Sequence, residues 1–560
     1  MACPRDSHLK RRGLVWYAWR SVMLIVFVSS TLLVSPLHSQ SAPRKQRPAQ
    51  KQKSDNQPSP RAQRIAQRQQ PAPQPGQVLA TSEQMLALSL EEAIRLALQH
   101  NLEIERERLG PPIARTEVER ARAPFDPRVG LETNFSQTQT GRLVTGQQVT
   151  VPFSSRAELT PRFTQQIITG GQYEIRFFNT YQDNDFSSQV DPAIRRRNPF
   201  HESGVELTFV HPLLRNFGIA INTAPIQQAQ IAVEAAQQQL LQTILDTVFA
   251  VHQSYWDLVF RIQDLVTQRE SQKLAEDFLA ENKLRVELGT LAPIELVQAE
   301  TSVKERQRDV IVAEAAVREA DDRLKEILNI PETMGTWAIR LQPTDSPPFV
   351  PLTTIATEEK VTQALLLRPD YIQSQLQIAS REVDRRVAKN QLLPQLDVVG
   401  TGRVSGFGEN PGESIGNIPD GEGYEWLVGL QFEYPLGNRL AQNELERRKL
   451  ELRQARVDQR RVERTIVREI RQAIRDIETA IQRVEVARAT VVLARTQLEA
   501  EQEKFRLGLS TSFNVLTFQE DLTRARSQEI QALSDYNVEL ARLDLRTGLR
   551  QPVDSGQSKQ

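Results

Sequence analysis

Hydrophobic residues repeat along the chain in two ways, at every second position in short segments and at steps of three and four in longer ones. Short segments such as 424–436 place large side chains at every second residue, which predicts strands with one apolar face. The side chains on that face are Tyr424, Trp426, Val428, Leu430, Phe432 and Tyr434. The four predicted strands are 127–138, 203–211, 395–406 and 424–435. Each is about as long as a tilted strand that crosses a bilayer, but one strand alone fits a lipid-facing wall and a soluble sheet equally well.

Longer segments follow the strands and repeat apolar residues at steps of three and four. One seam runs from Ile226 to Leu265, and a second runs from Val462 to Leu498. These steps predict coiled-coil helices. The first, at 222–283, would be roughly 90 Å long at 1.5 Å per residue, too long for a compact domain. Apolar residues beside the seam leave open two arrangements, an ordinary antiparallel pair and a ring of helices closed sideways.

The same order of elements occurs twice. The matching segments are 90–101 with 357–368, 205–216 with 428–439, and 286–300 with 505–519. In the last pair Gly289 matches Gly508, and both glycines stand between long helical segments. We therefore predict an internal duplication of helix, two strands, long helix, turn and long helix.

The domain boundaries follow from this repeat. The predicted segments are a first repeat at 87–330 with a helical hairpin at 222–329, a connector at 331–352, a second repeat at 353–549 with a hairpin at 440–547, and a disordered tail at 550–560. Residues 141–202 have no counterpart in the second repeat. Their alternating stretches, such as 172–182, predict an enlarged loop with an extra hairpin.

The first residues resemble a targeting segment. Lys10, Arg11, Arg12 and Arg20 precede an apolar run from Val22 to Val34, which predicts a signal peptide at 1–39. The alternative is a retained anchor helix, for which the run is short. Residues 40–86 are rich in Pro, Gln and Arg and predict a disordered linker.

Charge and chemistry exclude several classes of function. Residues 81–560 carry 57 basic and 68 acidic side chains, so the folded part is mildly acidic and is not expected to bind nucleic acid. The single cysteine is Cys3, and the six histidines show no metal-ligand spacing. We expect no catalytic, cofactor-binding or metal site, and no enzymatic activity.

Strand number sets a constraint on assembly. Four strands cannot close a barrel, because membrane barrels begin at about eight strands. An open edge in lipid would leave backbone groups without partners. If the strands cross a membrane, several chains must therefore share one barrel, and the protein is an obligate oligomer.

The combined pattern resembles the TolC-like outer membrane efflux protein family. The resemblance is carried by "LEEAIRLAL" at 90–98, by the two strand to Pro-Leu to long-helix junctions, and by the turns before "APIELVQAE" and "STSFNVLTFQ". It covers about 88–549. It implies a mixed α and β fold, mostly α, in which a homotrimer builds a 12-stranded outer membrane barrel from four strands per chain. A long α-helical coiled-coil barrel would continue it across the periplasm.

The resemblance also implies roles for the two turns. They would be periplasmic tips that contact an adaptor protein, through Leu288, Gly289, Thr290, Leu507, Gly508, Leu509, Ser510 and Thr511. Candidates for the pore constriction are Glu295, Arg506, Asn514 and Thr517. Well-known family members have aspartates in the second hairpin where this chain has Asn514 and Thr517, so cation binding there is in doubt. Arg506 and Ser510 are expected to hold the closed tip by hydrogen bonds.

The implied function is the exit duct of a tripartite efflux pump. A periplasmic adaptor would open the passive conduit, and an inner-membrane pump of RND or ABC type would drive export. Type I protein secretion is the alternative within the family. A periplasmic coiled-coil scaffold with a small soluble sheet is the alternative from another class.

Overall fold

The computed structural model describes residues 85–139, 153–184, 198–330, 337, 339–350, 355–421 and 423–549. The predicted signal peptide, most of the linker and the tail lie outside these residues. The predicted linker ends too late, because Met85 begins a strand that pairs in parallel with Arg340. That partner lies far along the chain, so local composition could not reveal it.

Helices make up most of the described chain. They are α1 (Leu90–His100), α2 (Leu102–Arg108), α3 (Gly110–Arg122), α4 (Ile219–Asn222), α5 (Ala224–Glu287), α6 (Pro293–Leu328), α7 (Thr357–Leu367), α8 (Pro369–Asn390), α9 (Pro411–Gly416), α10 (Arg439–Arg506) and α11 (Ser512–Thr547). None of the described helices combines the length and the apolar character that crossing a bilayer requires.

The strands form two separate sheets in the described chain. They are β1 (Met85–Leu88), β2 (Arg128–Gln139), β3 (Phe153–Gln166), β4 (Gln172–Asn184), β5 (Phe200–Pro212), β6 (Arg340–Pro343), β7 (Gln395–Gly408) and β8 (Gly423–Glu433). β1 and β6 make a small parallel pair. The other six form one antiparallel sheet in the order β2-β3-β4-β5-β7-β8.

Two long hairpins dominate the helical part. α5 packs on α6, and α10 packs on α11. α5 has 64 residues and α10 has 68, so each is about 100 Å long. The predicted seam of α10 is the core of its pair, since Ile466, Ile470, Ile477 and Val484 are fully buried.

Two buried tyrosines attach the long helices to the segments that join the halves. On α5, the Tyr255 hydroxyl lies 3.0 Å from the Leu88 carbonyl oxygen and 3.1 Å from a carboxylate oxygen of Asp345. On α11, the Tyr536 hydroxyl donates to the Val350 carbonyl at 2.5 Å. The two hydroxyls therefore hold the connector on both hairpins, through the Asp345 carboxylate and the Val350 carbonyl.

The large sheet has six strands, so the prediction of four strands per chain is wrong. The four predicted strands lie at β2, β5, β7 and β8, and their ends differ from the predicted ends by at most three residues. β3 and β4 come from the predicted insertion 141–202. They stand between β2 and β5 as full members of the sheet.

Pro161 explains why β3 was hard to foresee. A proline has no backbone N–H, and within a strand pattern it favours an edge or a break. The pairing of β3 with β4 is interrupted at Thr160 and Pro161 and resumes at Arg162. β3 therefore accommodates the proline by giving up local ladder contacts on one side.

We predict that Tyr255→Phe lowers the free energy of unfolding by about 1–2 kcal/mol, the usual effect of removing one buried hydroxyl from its partners. Burial raises the pKa of Tyr255 to about 12, so the hydroxyl keeps its proton at neutral pH. Denaturant unfolding followed by circular dichroism measures the change. Tyr424→Phe is the control, because that side chain is 78% exposed. Equal effects of the two substitutions would show that the hydrogen bonds of Tyr255 contribute nothing.

Candidate functional site

The first hairpin turns through a defined backbone motif. Gly289 follows the end of α5 and has a φ of +75°. Its N–H donates to the Val286 carbonyl at 3.0 Å, and the Thr290 N–H donates to the Arg285 carbonyl at 2.9 Å. These two bonds define the Schellman motif, which ends a helix on a left-handed residue.

The second hairpin repeats this geometry. Gly508 has a φ of +76°. Its N–H donates to the Phe505 carbonyl at 3.1 Å, and the Leu509 N–H donates to the Lys504 carbonyl at 2.9 Å. A Cβ built on Gly289 or Gly508 would meet no atom within 4 Å. The backbone angle rather than crowding therefore requires glycine at both tips.

Polar contacts join the first hairpin to the second next to these turns. The Ser512 N–H donates to Glu295 Oε2 at 2.9 Å, and Asn282 Nδ2 donates to Ser512 Oγ at 3.0 Å. Asn282 and Ser512 are fully buried. Ser512 is the first residue of α11, and a carboxylate is favoured at a helix N-terminus by the helix dipole. Glu295 is thus a predicted constriction residue that the structure brings to the other hairpin.

An apolar core lies beneath the polar contacts. The rings of Phe278 on α5 and Phe505 on α10 are 5.2 Å apart between centroids. The guanidinium of Arg285 lies 4.9 Å from the centre of the Phe505 ring. Val515 of α11 is fully buried in the same cluster. The two tips therefore rest on one core, and movement of either hairpin must separate these side chains.

A second polar group stabilises the turn of the second hairpin from inside. Ser510 Oγ donates to Glu501 Oε1, and Asn514 Nδ2 donates to Ser510 Oγ at 3.2 Å. Lys504 Nζ lies 3.0 Å from the other Glu501 oxygen. The Ser510 hydroxyl, with help from Lys504, lowers the pKa of Glu501 below its ordinary value. The ionised carboxylate thus connects the end of α10 to the start of α11.

The remaining predicted tip residues have local partners or face outward within the chain. Arg506 pairs with Glu503 of its own helix at 3.0 Å, and Thr517 donates to the Phe513 carbonyl at 2.9 Å. The exposed apolar residues of the two turns are Leu288, Leu507 and Leu509. Of the two residues expected to hold the tip, Ser510 makes a bond across the turn and Arg506 does not. A role of these residues in adaptor contact or pore constriction stays a prediction.

Sequence reasoning missed Glu501, Asn282 and Ser512. Asn282 carried a usable signal, because it follows Phe278 by four residues and is a lone amide in the apolar seam of α5. Glu501 carried none, since glutamates occur throughout the outer faces of these helices. Its importance depends on the turn that brings Ser510 back to it.

The sheet presents a different kind of surface. On β8, the predicted lipid-facing residues Tyr424, Trp426, Val428, Leu430 and Phe432 are all exposed, and Tyr434 lies just beyond the strand. The opposite face is polar, and its charges pair across strands. Arg403 of β7 lies 2.6 Å from Glu202 of β5. Within the residues that the structure describes, no group of three or more His, Cys, Asp or Glu side chains is placed to hold a metal ion.

Comparison with known proteins agrees with this geometry. Residues 361–549, which include β7, β8, α10 and α11, match the model of the outer membrane efflux protein family. Over this stretch the chain is similar to the outer membrane efflux protein family. The resemblance found in the sequence is thereby confirmed, and the matched stretch contains the second tip with its Glu501 contacts.

Solved structures of outer membrane proteins share the fold. The Campylobacter jejuni CmeC outer membrane channel has a TM-score of 0.60 at 15% identity, over 84% of this chain and 90% of that one. The outer membrane protein VceC of Vibrio cholerae has a TM-score of 0.59 at 14% identity, over 82% and 96%. The open state of the Neisseria gonorrhoeae MtrE outer membrane channel has a TM-score of 0.57 at 14% identity, over 84% and 93%. No curated protein sequence matches this chain.

We predict that Gly508→Ala destabilises the second tip by about 1 kcal/mol, the usual cost of a left-handed angle for a residue with a Cβ. Gly508→Asn is the matched control, because asparagine tolerates this angle and also fills open space. Denaturant unfolding measures both changes. Equal losses for the two variants would mean that the backbone angle is not the cause.

We predict that Glu501→Gln lowers the melting temperature at pH 7 and that the difference from wild type shrinks in acid. The folded pKa of Glu501 lies below its ordinary value of 4.5. Its contribution is therefore present above pH 4.5 and is lost as the pH falls through the folded pKa. Glu503→Gln is the control, since its ion pair with Arg506 is more than half exposed and contributes little. A difference between Glu501→Gln and wild type that stays constant with pH would contradict the assignment.

Proposed function

We propose that three copies of this chain form a passive exit duct through the outer membrane for a tripartite efflux pump. The sheet crosses the outer membrane, and the long hairpins continue the duct into the periplasm. An inner-membrane pump of RND or ABC type supplies the energy. On this proposal the chain catalyses no reaction and needs no cofactor.

The observation that carries the proposal is an apolar sheet face with two free edges. Trp426 and Val428 are about three-quarters exposed in the single chain and belong to a continuous apolar row on β8. Contiguous exposed apolar patches mark membrane or protein interfaces. Within the described sheet, β2 and β8 each pair on one side only. Lipid offers no hydrogen-bond partner to such an edge, so the edges pair between copies. β2 leads away from the helices and β8 returns to them, which makes this pairing antiparallel like every other in the sheet.

The helices carry a second apolar flank for the same assembly. Exposed apolar residues on α6 and α10 include Ile311, Val312, Val486, Val492 and Leu493. They lie apart from the buried seam of each hairpin. In a ring of three copies this flank packs between neighbouring chains. This is the ring arrangement, one of the two that the sequence pattern allows.

The two tips form the periplasmic end of the duct in this proposal. Their shared Schellman geometry, with the repeated order of elements, supports an internal duplication. The exposed Leu288, Leu507 and Leu509 offer apolar contacts to an adaptor. The bond from the Ser512 N–H to Glu295 holds the two tips closed, while Glu501 keeps the turn of the second tip in shape. The adaptor opens the tips by moving the second hairpin.

The proposal is tested by locking the two hairpins together. Thr523 Oγ1 on α11 donates to Ser271 Oγ on α5 at 3.0 Å, and both side chains are buried. Two hydroxyls in contact lie near the separation that a disulfide spans. In a Cys3→Ser background, we predict that oxidised Ser271→Cys/Thr523→Cys assembles as a detergent-extracted trimer but abolishes export. Export is measured in cells that carry the matching adaptor and pump and no other duct.

The two single-cysteine variants are the controls, and reductant should restore export in the double variant. Unchanged export in fully crosslinked trimers would refute the gate. A chain found as a soluble monomer would refute the duct and support the periplasmic scaffold.

A further inference from the structure

The hairpin of β3 and β4 extends the large sheet by two complete strands. β3 pairs with β2 along the whole length of β2, from Arg128 opposite Thr164 to Gln139 opposite Phe153. β4 pairs with β5 over eleven consecutive positions, from Gln172 to Gln182. The hairpin therefore separates β2 from β5, and the sheet continues through it.

The apolar face of the sheet runs across this hairpin without a break. Residues that face each other in neighbouring antiparallel strands lie on the same face. One such row across all six strands consists of Val129, Phe163, Ile175, Leu207, Gly402 and Trp426. The same face of β4 also carries Tyr173, Phe177 and Tyr181, since side chains alternate along a strand. The hairpin thus presents the same side to lipid as β8 does.

The polar face is equally continuous. The adjacent row contains Gly130, Arg162, Arg176, Glu206, Arg403 and Glu425. Arg176 of β4 lies 2.7 Å from Glu206 of β5, and Arg162 of β3 lies 3.5 Å from Glu132 of β2. One ion pair therefore joins the hairpin to β5, and the other joins it to β2. A hairpin in an aqueous loop would not need one apolar and one charged face that continue those of β2 and β5.

The strands of the hairpin are also long enough to cross. β3 has 14 residues and β4 has 13, while β2 has 12 and β5 has 13. A tilted transmembrane strand needs about 9–11 residues. The hairpin therefore spans the same height as the strands on either side of it.

We infer that β3 and β4 are part of the membrane wall, so that each chain contributes six strands to the shared barrel. This inference rests on the proposed trimeric duct. Three copies of a six-stranded sheet make a barrel of eighteen strands, in place of the twelve that four strands per chain would give. Barrel diameter grows roughly linearly with strand number, so the outer-membrane opening is about half as wide again as that of a twelve-stranded barrel. Its lining is the ladder of paired arginines and glutamates.

The test places a nitroxide label on each face of β4 and of β8. In a Cys3→Ser background, the variants are Ile175→Cys and Glu174→Cys on β4, with Val428→Cys and Gln431→Cys as the reference pair on β8. The labelled trimers are reconstituted in phosphatidylcholine vesicles. Power-saturation electron spin resonance then measures collision of each label with oxygen, which concentrates in lipid, and with a water-soluble nickel chelate.

We expect the Ile175 label to match the Val428 label in preferring oxygen, and the Glu174 label to match the Gln431 label in preferring nickel. If the β8 labels divide in this way but both β4 labels prefer nickel, the hairpin lies outside the membrane and the inference is wrong, although the duct stands. If all four labels prefer nickel, the duct proposal itself fails.

A strand count on the unmodified protein gives an independent answer. Electron cryomicroscopy of the detergent-extracted trimer should show eighteen strands in cross-section. Twelve strands would overturn the inference whether or not the cysteine variants assemble.

Discussion

A strand edge in hydrocarbon leaves backbone donors and acceptors without partners, and this constraint determines how the chain is used. The described sheet has an apolar face and free edges at β2 and β8. Neither feature is stable in a single chain exposed to lipid. In the proposed assembly the two edges meet around a ring, so membrane insertion and oligomerisation are one event.

The helical part is compatible with this ring because β5 leads into the first long hairpin and β8 leads into the second. The hairpins return through Gly289 and Gly508, whose angles are nearly identical. Tyr255 and Tyr536 hold the connector between the halves against the long helices, through Asp345 and Val350. At the tips, a few polar bonds and one shared apolar cluster join the two hairpins.

Sequence patterns predicted the elements whose signal is local. Period-two alternation predicts β8 because its large apolar side chains repeat without interruption, and steps of three and four predict α5 and α10. Gly289 and Gly508 predict the two turns because few other residues adopt a left-handed backbone angle. The pattern predicts no separate strand at β3, since Pro161 and the polar residues around 154–158 obscure its alternation. The apolar side of β3 becomes visible only through its register with β2.

The tip contacts were beyond local analysis for a related reason. Glu295 and Ser512 are 217 residues apart in sequence, and which hairpin faces which is decided by packing along the helices. The same holds for β1, whose partner lies in the connector. In both cases the residues have ordinary local propensities, and the tertiary fold alone gives them a role.

The β3–β4 hairpin also limits how a duct of this type changes in size. A hairpin returns the chain to the side from which it left, so β5 still leads into the same helices after the insertion. Insertion of one strand instead of two would reverse the direction of β5 and place α5 on the opposite side of the membrane. Each inserted hairpin adds two strands to each of the three copies. A threefold barrel can therefore enlarge only in increments of six strands, and barrel diameters between these steps do not occur.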